Sequence, residues 1–412
     1  MKFVFILHNI FEIKNGVSNK YIHFINYLKK NNIEYLLISC SIHTHNLDEL
    51  KHTYNLVIEK GINIPFYPSI KIPNINYTTL HENVNENDIL IFNGELFMFY
   101  DIFIQIKKEK NIKLIPNWHT NYDYYNDVYF KSFTHFNHLK NKLYHHLKSN
   151  VFDGLICTGP LMEKDFLNYT QHVFNANEIC FQNFNCFKID SYSKKELHFI
   201  YSGRISIEKN IDYLIDIFET LIQTKTQFIN YIFKLHIIGV GPYLNDLTYK
   251  INKHRCLNVK KNIIFHGELE YHKVIDLYKC LQNRIFINPS KSETFGKSSM
   301  EACYAGIPLF CIQCPINNLL YNENNAFLFN SKSDFITQLL LFIQLNTIQK
   351  EKVITKGFIN ATQYDQEEIF KKWVVFINKT HVLINNKEGM NDLKTHSLFF
   401  KTIKWSFNLF EK

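Results

Sequence analysis

Short apolar runs alternate with amphipathic stretches along most of this chain. Lys2–His8 is an apolar run. Gly16–Asn31 has helical spacing, with Val17, Tyr21, Phe24, Ile25 and Leu28 on one side. Glu34–Ser39, Asp88–Phe92, Lys113–Pro116, Leu155–Cys157 and Glu178–Phe181 continue the strand series. Repeated strand–helix units predict a parallel sheet with helices on both faces, because each crossover returns over the sheet. A polar break at Asp190–Lys195 precedes a second alternation. Strands are expected at His198–Ser202, Phe233–Gly239, Ile263–Phe265 and Arg284–Asn288, with helices from Asn210, from Pro242 and over Tyr271–Cys280. The pattern predicts an α/β fold of two Rossmann-like domains, residues 1–190 and 196–365. A terminal helical segment over 366–388 and an appended tail over 389–412 follow.

Charge and cysteine content narrow the classes. The 412 residues carry 46 Lys and Arg against 38 Asp and Glu, a formal net charge of +8. That excess suits anionic partners such as nucleotide diphosphates or anionic lipid. No nucleic-acid recognition motif accompanies it, so no nucleic-acid partner is expected. Nine cysteines without a framework argue for a reducing compartment. Cys311-Ile-Gln-Cys314 reads as buried small apolar residues rather than a redox or zinc pair. No segment approaches the ~20 apolar residues that span a bilayer. Met1–His8 reads as a first core strand rather than a signal peptide. A cytoplasmic location is expected, with room for attachment at the inner face of the membrane.

Candidate chemistry concentrates in two segments of the second domain. Ile287–Pro308 carries Glu293 and Glu301 on either side of a Thr294-Phe295-Gly296 turn, which opens a helix ending at Gly306. The helix start at Phe295–Lys297 offers unpaired N–H groups and the positive end of a dipole, which suit phosphate. The carboxylates can accept hydrogen bonds from sugar and ribose hydroxyls. Together these features suit a nucleotide-sugar. The plainer alternative is an ordinary strand–turn–helix unit with two solvated acids. Leu197–Asp216 places Arg204 and Lys209 around a Gly203-Arg204 turn at the carboxyl end of a strand, where open α/β sheets bind ligands. Arg supplies a planar fork for phosphate oxygens and Lys a mobile point charge. Two surface cations are the plainer reading of that pair. The chain has no Asp-x-Asp motif. Arg204, Lys209 and the N–H groups near Phe295–Lys297 could then take the place of a metal or cofactor in stabilising phosphate charge. The neighbouring cations also disfavour a glycosidase role for the two glutamates.

These motifs together resemble glycosyltransferase family 4: Gly203-Arg204 with Lys209, the Gly239-Val-Gly-Pro242 loop, and Pro289-Ser-Lys-Ser-Glu-Thr-Phe-Gly296 with Glu301. The resemblance spans about residues 197–330 and extends to Met1–Ser39 and Trp118-His119-Thr120. It implies the GT-B fold, with two Rossmann-like domains facing across a cleft and the terminal helix crossing back to the first. It implies a retaining enzyme that moves a sugar from a nucleoside diphosphate, uridine by default, to a hydroxyl of a cell-surface glycan or glycolipid. Arg204 and Lys209 would hold the diphosphate, Glu293 would contact the donor sugar and Glu301 would accept from the ribose. His119 would position the sugar. Gly16 would approach a ligand, and Gly239 and Gly241 would lie near the base. Gly16 reads equally as part of an ordinary helix cap, and the Gly239–Gly241 pair as a structural turn. A nucleotide-sugar epimerase of the same fold and a non-catalytic donor-binding subunit are the competing expectations.

Two amphipathic segments bear on the membrane. Phe130–Lys148 alternates lysines and histidines with apolar residues, and a solvated basic face is the expectation there. The tail puts Phe399, Phe400, Ile403, Phe407 and Phe410 on one helical side. Packing on the first domain and lying on anionic lipid suit it equally.

Overall fold

The computed structural model describes residues 1–12, 16–40, 47–64, 67–94, 96–119, 144–145, 147–149, 151–179, 189–192, 195–224, 228, 230–253 and 256–379. The chain forms two compact units. Met1–Ala176 joins Glu367–Lys412 in the first, and Asn177–Gln366 forms the second. The division falls after Ala176, earlier than the polar break at Asp190.

In the first unit the strands are β1 (Phe3–Ile6), β2 (Tyr35–Cys40), β3 (Leu56–Glu59), β4 (Gly61–Ile64), β5 (Tyr67–Pro73), β6 (Ile89–Asn93), β7 (Lys113–Trp118), β8 (Leu155–Cys157) and β9 (Val173–Asn175). Seven of them form one sheet in the order β3-β2-β1-β6-β7-β8-β9, and β4 and β5 pair as an antiparallel ribbon. All pairings in the large sheet are parallel. Every residue of β1, β2 and β6 is buried, as the near-continuous apolar strands of a sheet covered on both faces require. The helix Gly16–Lys30 buries Tyr21, Phe24, Ile25 and Leu28, the stripe set by its helical spacing.

The terminal helix Gln366–Lys379 returns to this unit. Trp373 is fully buried and stacks on Phe24 with ring centroids 4.0 Å apart and planes 1° from parallel. Phe370 packs beside both rings. Offset or stacked aromatic pairs add to the area they bury.

In the second unit, β10 (Glu196–Ser202), β11 (Ile232–Ile238), β12 (Ile263–Gly267), β13 (Arg284–Asn288), β14 (Leu309–Ile312) and β15 (Phe327–Phe329) form a parallel sheet. Its order is β12-β11-β10-β13-β14-β15. Leu197, Phe199, Leu235, Ile237, Ile285 and Ile287 share one core with Leu214, Phe218 and Leu339 from the covering helices.

The strand expected over Glu178–Phe181 is not formed at Glu178. Val173–Asn175 takes the free edge of the first sheet beside β8, and the chain then leaves it. With that edge filled, Ile179 makes only an isolated parallel bridge, to Asp365. The 130–148 stretch lies outside the described residues apart from Tyr144, His145, Leu147 and Lys148. The expectations for residues 380–412 lie outside them entirely.

Trp373→Ala removes the largest ring of this packing. We expect it to destabilise the first unit by about 3–5 kcal/mol, measured as a shift of the denaturant midpoint followed by near-ultraviolet circular dichroism.

Candidate active site

The carboxyl ends of β10, β11, β12 and β13 lie side by side, so the loops that follow them converge. Backbone hydrogen bonds stitch three of those loops together. Gly203 N donates to Ile238 O at 3.0 Å, Ile205 N to Val240 O at 3.0 Å and Gly239 N to Gly267 O at 2.8 Å. The glycines permit this approach. A Cβ at Gly239, where φ is +131°, would stand 2.0 Å from Gly203 O, and one at Gly241 would stand 2.1 Å from Ile205 O. The Gly239–Gly241 pair therefore has a structural role in setting the position of the Gly203–Ile205 backbone.

Within this framework, Lys209 and Glu293 meet. Lys209 Nζ donates to Glu293 Oε1 at 2.7 Å and to Oε2 at 2.8 Å, with side chains 23% and 13% exposed. Adjacent loops hold them there: Asn210 Nδ2 donates to Pro289 O at 3.0 Å, and Ser290 Oγ to Ser292 O at 2.7 Å. Arg204 is exposed, and its carbonyl accepts from the buried Tyr201 hydroxyl at 2.9 Å. Thr294 and Phe295 lead to Gly296, whose φ of +76° turns the chain into the helix Lys297–Tyr304. Gly296 sits where few side chains are tolerated, and the helix start then points N–H groups outward from the turn.

Glu301 is on the first turns of that helix and half-buried. Burial pushes its carboxyl up to about 7, and the Glu178 charge adds to the rise while Lys297 opposes it. Lys297 Nζ donates to Glu178 Oε1 at 2.8 Å. The site therefore gathers Arg204, Lys209, Glu293, Thr294, Phe295, Gly296, Lys297 and Glu301 in one unit. It also includes four residues missed in the sequence: Glu178, Tyr201, and Asn288 with Ser299, whose side chains are hydrogen-bonded at 3.0 Å beneath the turn. Asn288 was legible as the polar end of an apolar strand. Glu178 gave no signal, because its partner is far away in sequence.

His119 and Gly16 belong to the first unit. His119 follows β7 and is buried. Its Nδ1 lies 3.3 Å from Thr158 Oγ1 and its Nε2 3.2 Å from Tyr21 Oη. Tyr21 donates to Asn93 Oδ1 at 3.2 Å, Asn93 Nδ2 lies 3.1 Å from His8 Nδ1, and His8 Nε2 lies 3.0 Å from Ser18 Oγ. Lys20 Nζ donates to Thr158 Oγ1 at 2.7 Å. Burial lowers His119 well below the ordinary histidine value, helped by the Lys20 and His8 charges, and lowers His8 to about 4. Both imidazoles are neutral at pH 7. Gly16 opens the first helix, and a Cβ there would meet nothing within 4 Å, so crowding does not explain this glycine. The preceding residues 13–15 lie outside the described residues. No group of three or more His, Cys, Asp or Glu able to hold a metal occurs among the described residues.

Residues 185–357 match the family described as glycosyl transferases group 1. The chain is a glycosyltransferase with the GT-B fold. It is similar to alpha-monoglucosyldiacylglycerol synthase of Streptococcus pneumoniae, 26% identical over 317 residues that cover 73% of this chain and 68% of that protein. It is 22% identical to the GtfA subunit of the UDP-N-acetylglucosamine–peptide N-acetylglucosaminyltransferase of S. pneumoniae, over 71% of this chain and 57% of that one. Among solved structures, TarM superposes with a TM-score of 0.66 at 14% identity, covering 92% of this chain and 99% of that one. HepE of Anabaena, solved with UDP and glucose, superposes with a TM-score of 0.63 at 15% identity, covering 92% and 100%. At such identities the superpositions show the fold of this glycosyltransferase.

Two outcomes follow from the site's local physics. Gly239→Ala combines a left-handed backbone with the overlap on Gly203 O. It should cost about 2–5 kcal/mol, whereas Gly16→Ala should leave thermal unfolding almost unchanged. The carboxyl of Glu301 titrates near 7 in the folded chain against 4.5 ordinarily. The folded state therefore holds the extra proton between those values and loses stability as pH rises through them. Glu301→Gln lacks that slope. Relative to wild type it should gain about 1–2 kcal/mol between pH 4.5 and 8, allowing for partial solvent screening, as read from denaturant titrations across pH.

Proposed function

We propose that this glycosyltransferase is a metal-independent, retaining enzyme of family 4 type. It moves a sugar from a nucleoside diphosphate, uridine-linked, to a hydroxyl of a glycan or glycolipid. The observation that carries this reading is the Lys209–Glu293 pair beside the start of the helix Lys297–Tyr304. It supplies a cation, a carboxylate and a helix dipole within one set of adjoining loops.

The departing diphosphate carries two charges that must be stabilised as the anomeric bond breaks. Lys209 and the exposed Arg204 supply fixed positive charge, and the N–H groups at Gly296 and Lys297 supply dipoles. Binding the diphosphate moves Lys209 from Glu293 to phosphate oxygen, which frees the Glu293 carboxylate to accept from sugar hydroxyls. Glu301 accepts from the ribose hydroxyls. The acceptor hydroxyl attacks from the leaving-group face, and the departing phosphate takes its proton. His119 hydrogen-bonds to Tyr21 and Thr158 and is kept neutral by burial, so its part in positioning the sugar is that of a neutral hydrogen-bonding group. Gly16 lets the first helix start approach a ligand.

Two relatives bear on the acceptor. One is named for a diacylglycerol glycolipid and the other for a peptide. The lipid reading fits the basic balance of the chain and a place at the inner face of the membrane. No helix among the described residues is long and apolar enough to cross a membrane.

The test is turnover with a panel of nucleotide-sugars and glycolipid acceptors. Transfer should survive a chelator, and NMR of the product should show the donor's anomeric configuration. Lys209→Ala should lower kcat by about a hundredfold or more while thermal unfolding stays near wild type. A near wild-type rate in that variant contradicts the assignment. Conversion of donor without acceptor points to an epimerase instead.

A further inference from the structure

Glu178 lies outside every sequence motif of the donor site, yet it touches that site. Its side chain is 5% exposed and accepts Lys297 Nζ at 2.8 Å. Lys297 is the first residue of the helix Lys297–Tyr304 and is 30% exposed. Glu178 stands one residue beyond Asn177, where the chain enters the second unit. The next residue, Ile179, is tied to the segment where the chain leaves. Ile179 N donates to Tyr364 O at 2.8 Å, and Gln366 N donates to Ile179 O at 3.0 Å. Tyr364 in turn packs its ring 4.7 Å from that of Phe295. Both ends of the second unit are thus held against the Thr294–Lys297 turn, one by charge and one by ring contact.

This arrangement gives Lys297 two anionic claimants. Glu178 is buried and its neighbour is pinned in the bridge, so its carboxylate has little freedom to follow a moving ammonium. Lys297 has a flexible stem and a partly exposed head. A diphosphate at the helix start brings denser negative charge to the same ammonium. We propose that Glu178 is a positioning residue of the donor site: it competes with the donor's diphosphate for Lys297, so that nucleotide binding releases Lys297 from the paired chain ends. The proposal rests on the nucleotide-sugar reading of the Thr294–Lys297 turn.

Calorimetric titration of the full chain with UDP tests it, using wild type, Glu178→Gln, Lys297→Met and the double variant. Removing the competing charge should tighten UDP by about three- to tenfold in Glu178→Gln. Lys297→Met should weaken UDP, and the double variant should match Lys297→Met alone. Raising the salt should shrink the gain. Unchanged or weaker UDP binding in a folded Glu178→Gln chain overturns the proposal. Amide exchange without nucleotide gives a second reading. Ile179 and Gln366 should exchange about threefold faster or more in Glu178→Gln and Lys297→Met, and adding UDP to wild type should do the same. Unchanged protection in both variants also overturns it. If Glu178→Gln does not fold, Glu178→Asp, with its shorter reach, should move both readouts in the same direction by less, and no movement overturns it. Wild type that binds no UDP defeats the nucleotide reading and this proposal together, whereas UDP binding that ignores Glu178 defeats this proposal alone.

Discussion

The second unit is organised by one electrostatic requirement: cations drawn to the ends of a parallel sheet must have anions beside them. Lys209 is largely removed from water, and a half-buried ammonium without a partner would cost several kcal/mol. Glu293 supplies that partner at 2.7 Å. The same contact joins the loop after β10 to the loop after β13, two strands that lie next to each other in the sheet. A pair made this way is exchangeable. A phosphate oxygen can replace a carboxylate oxygen on the ammonium at similar Coulombic gain, while the released carboxylate gains hydroxyl donors. In the proposed donor complex, the empty structure and the binding reaction would therefore draw on the same interaction. The site can stay folded while empty without losing its charge.

The glycines make that economy of space workable. Loops at strand ends normally diverge, and here they are pulled within backbone hydrogen-bonding distance because Gly239 and Gly241 present no side chain to Gly203 O and Ile205 O. The first unit solves a different problem. Its strand ends carry a hydrogen-bonded chain from Ser18 through His8, Asn93 and Tyr21 to His119 and Thr158. Burial keeps both imidazoles neutral, so that row is organised by donors and acceptors, with Lys20 as its cation. The strand ends of the second unit hold the Lys209–Glu293 ion pair, whereas this row in the first unit is a mostly neutral network.

Much of this was legible in the alternation of apolar and polar residues. The strands at Leu155–Cys157 and Arg284–Asn288 and the helix Tyr271–Cys280 fall where the pattern puts them, because burial on both faces leaves little freedom in such runs. The family resemblance implied that Lys209, Glu293 and Glu301 serve one site, and the structure brings Lys209 and Glu293 into contact. Glu178 failed for a physical reason. Its Glu-Ile-Cys-Phe context has strand propensity, but propensity does not reveal whether a sheet edge is free, and β9 already occupied it. Its ion pair with Lys297 is a long-range contact with no local signature. His119 was legible as a strand-end histidine. Its two hydrogen bonds were not, since Tyr21 and Thr158 come from distant parts of the chain.

The low identity to the superposed structures follows from the same physics. At 14–15% identity most side chains differ, yet 92% of the chain is covered. A parallel sheet asks only that strand positions be apolar and that crossovers be long enough, and many sequences meet those terms. The ends of the strands are less permissive. There a Cβ at Gly239 would overlap a carbonyl, and an unpaired Lys209 would sit half out of water. Selection on this fold should therefore bear hardest on a few turn glycines and charge partners, and least on the cores that fill most of its volume. Glu178 extends that short set of constrained positions to the place where the chain passes into the second unit. A site built from strand ends can in this way be tied to the path of the chain itself.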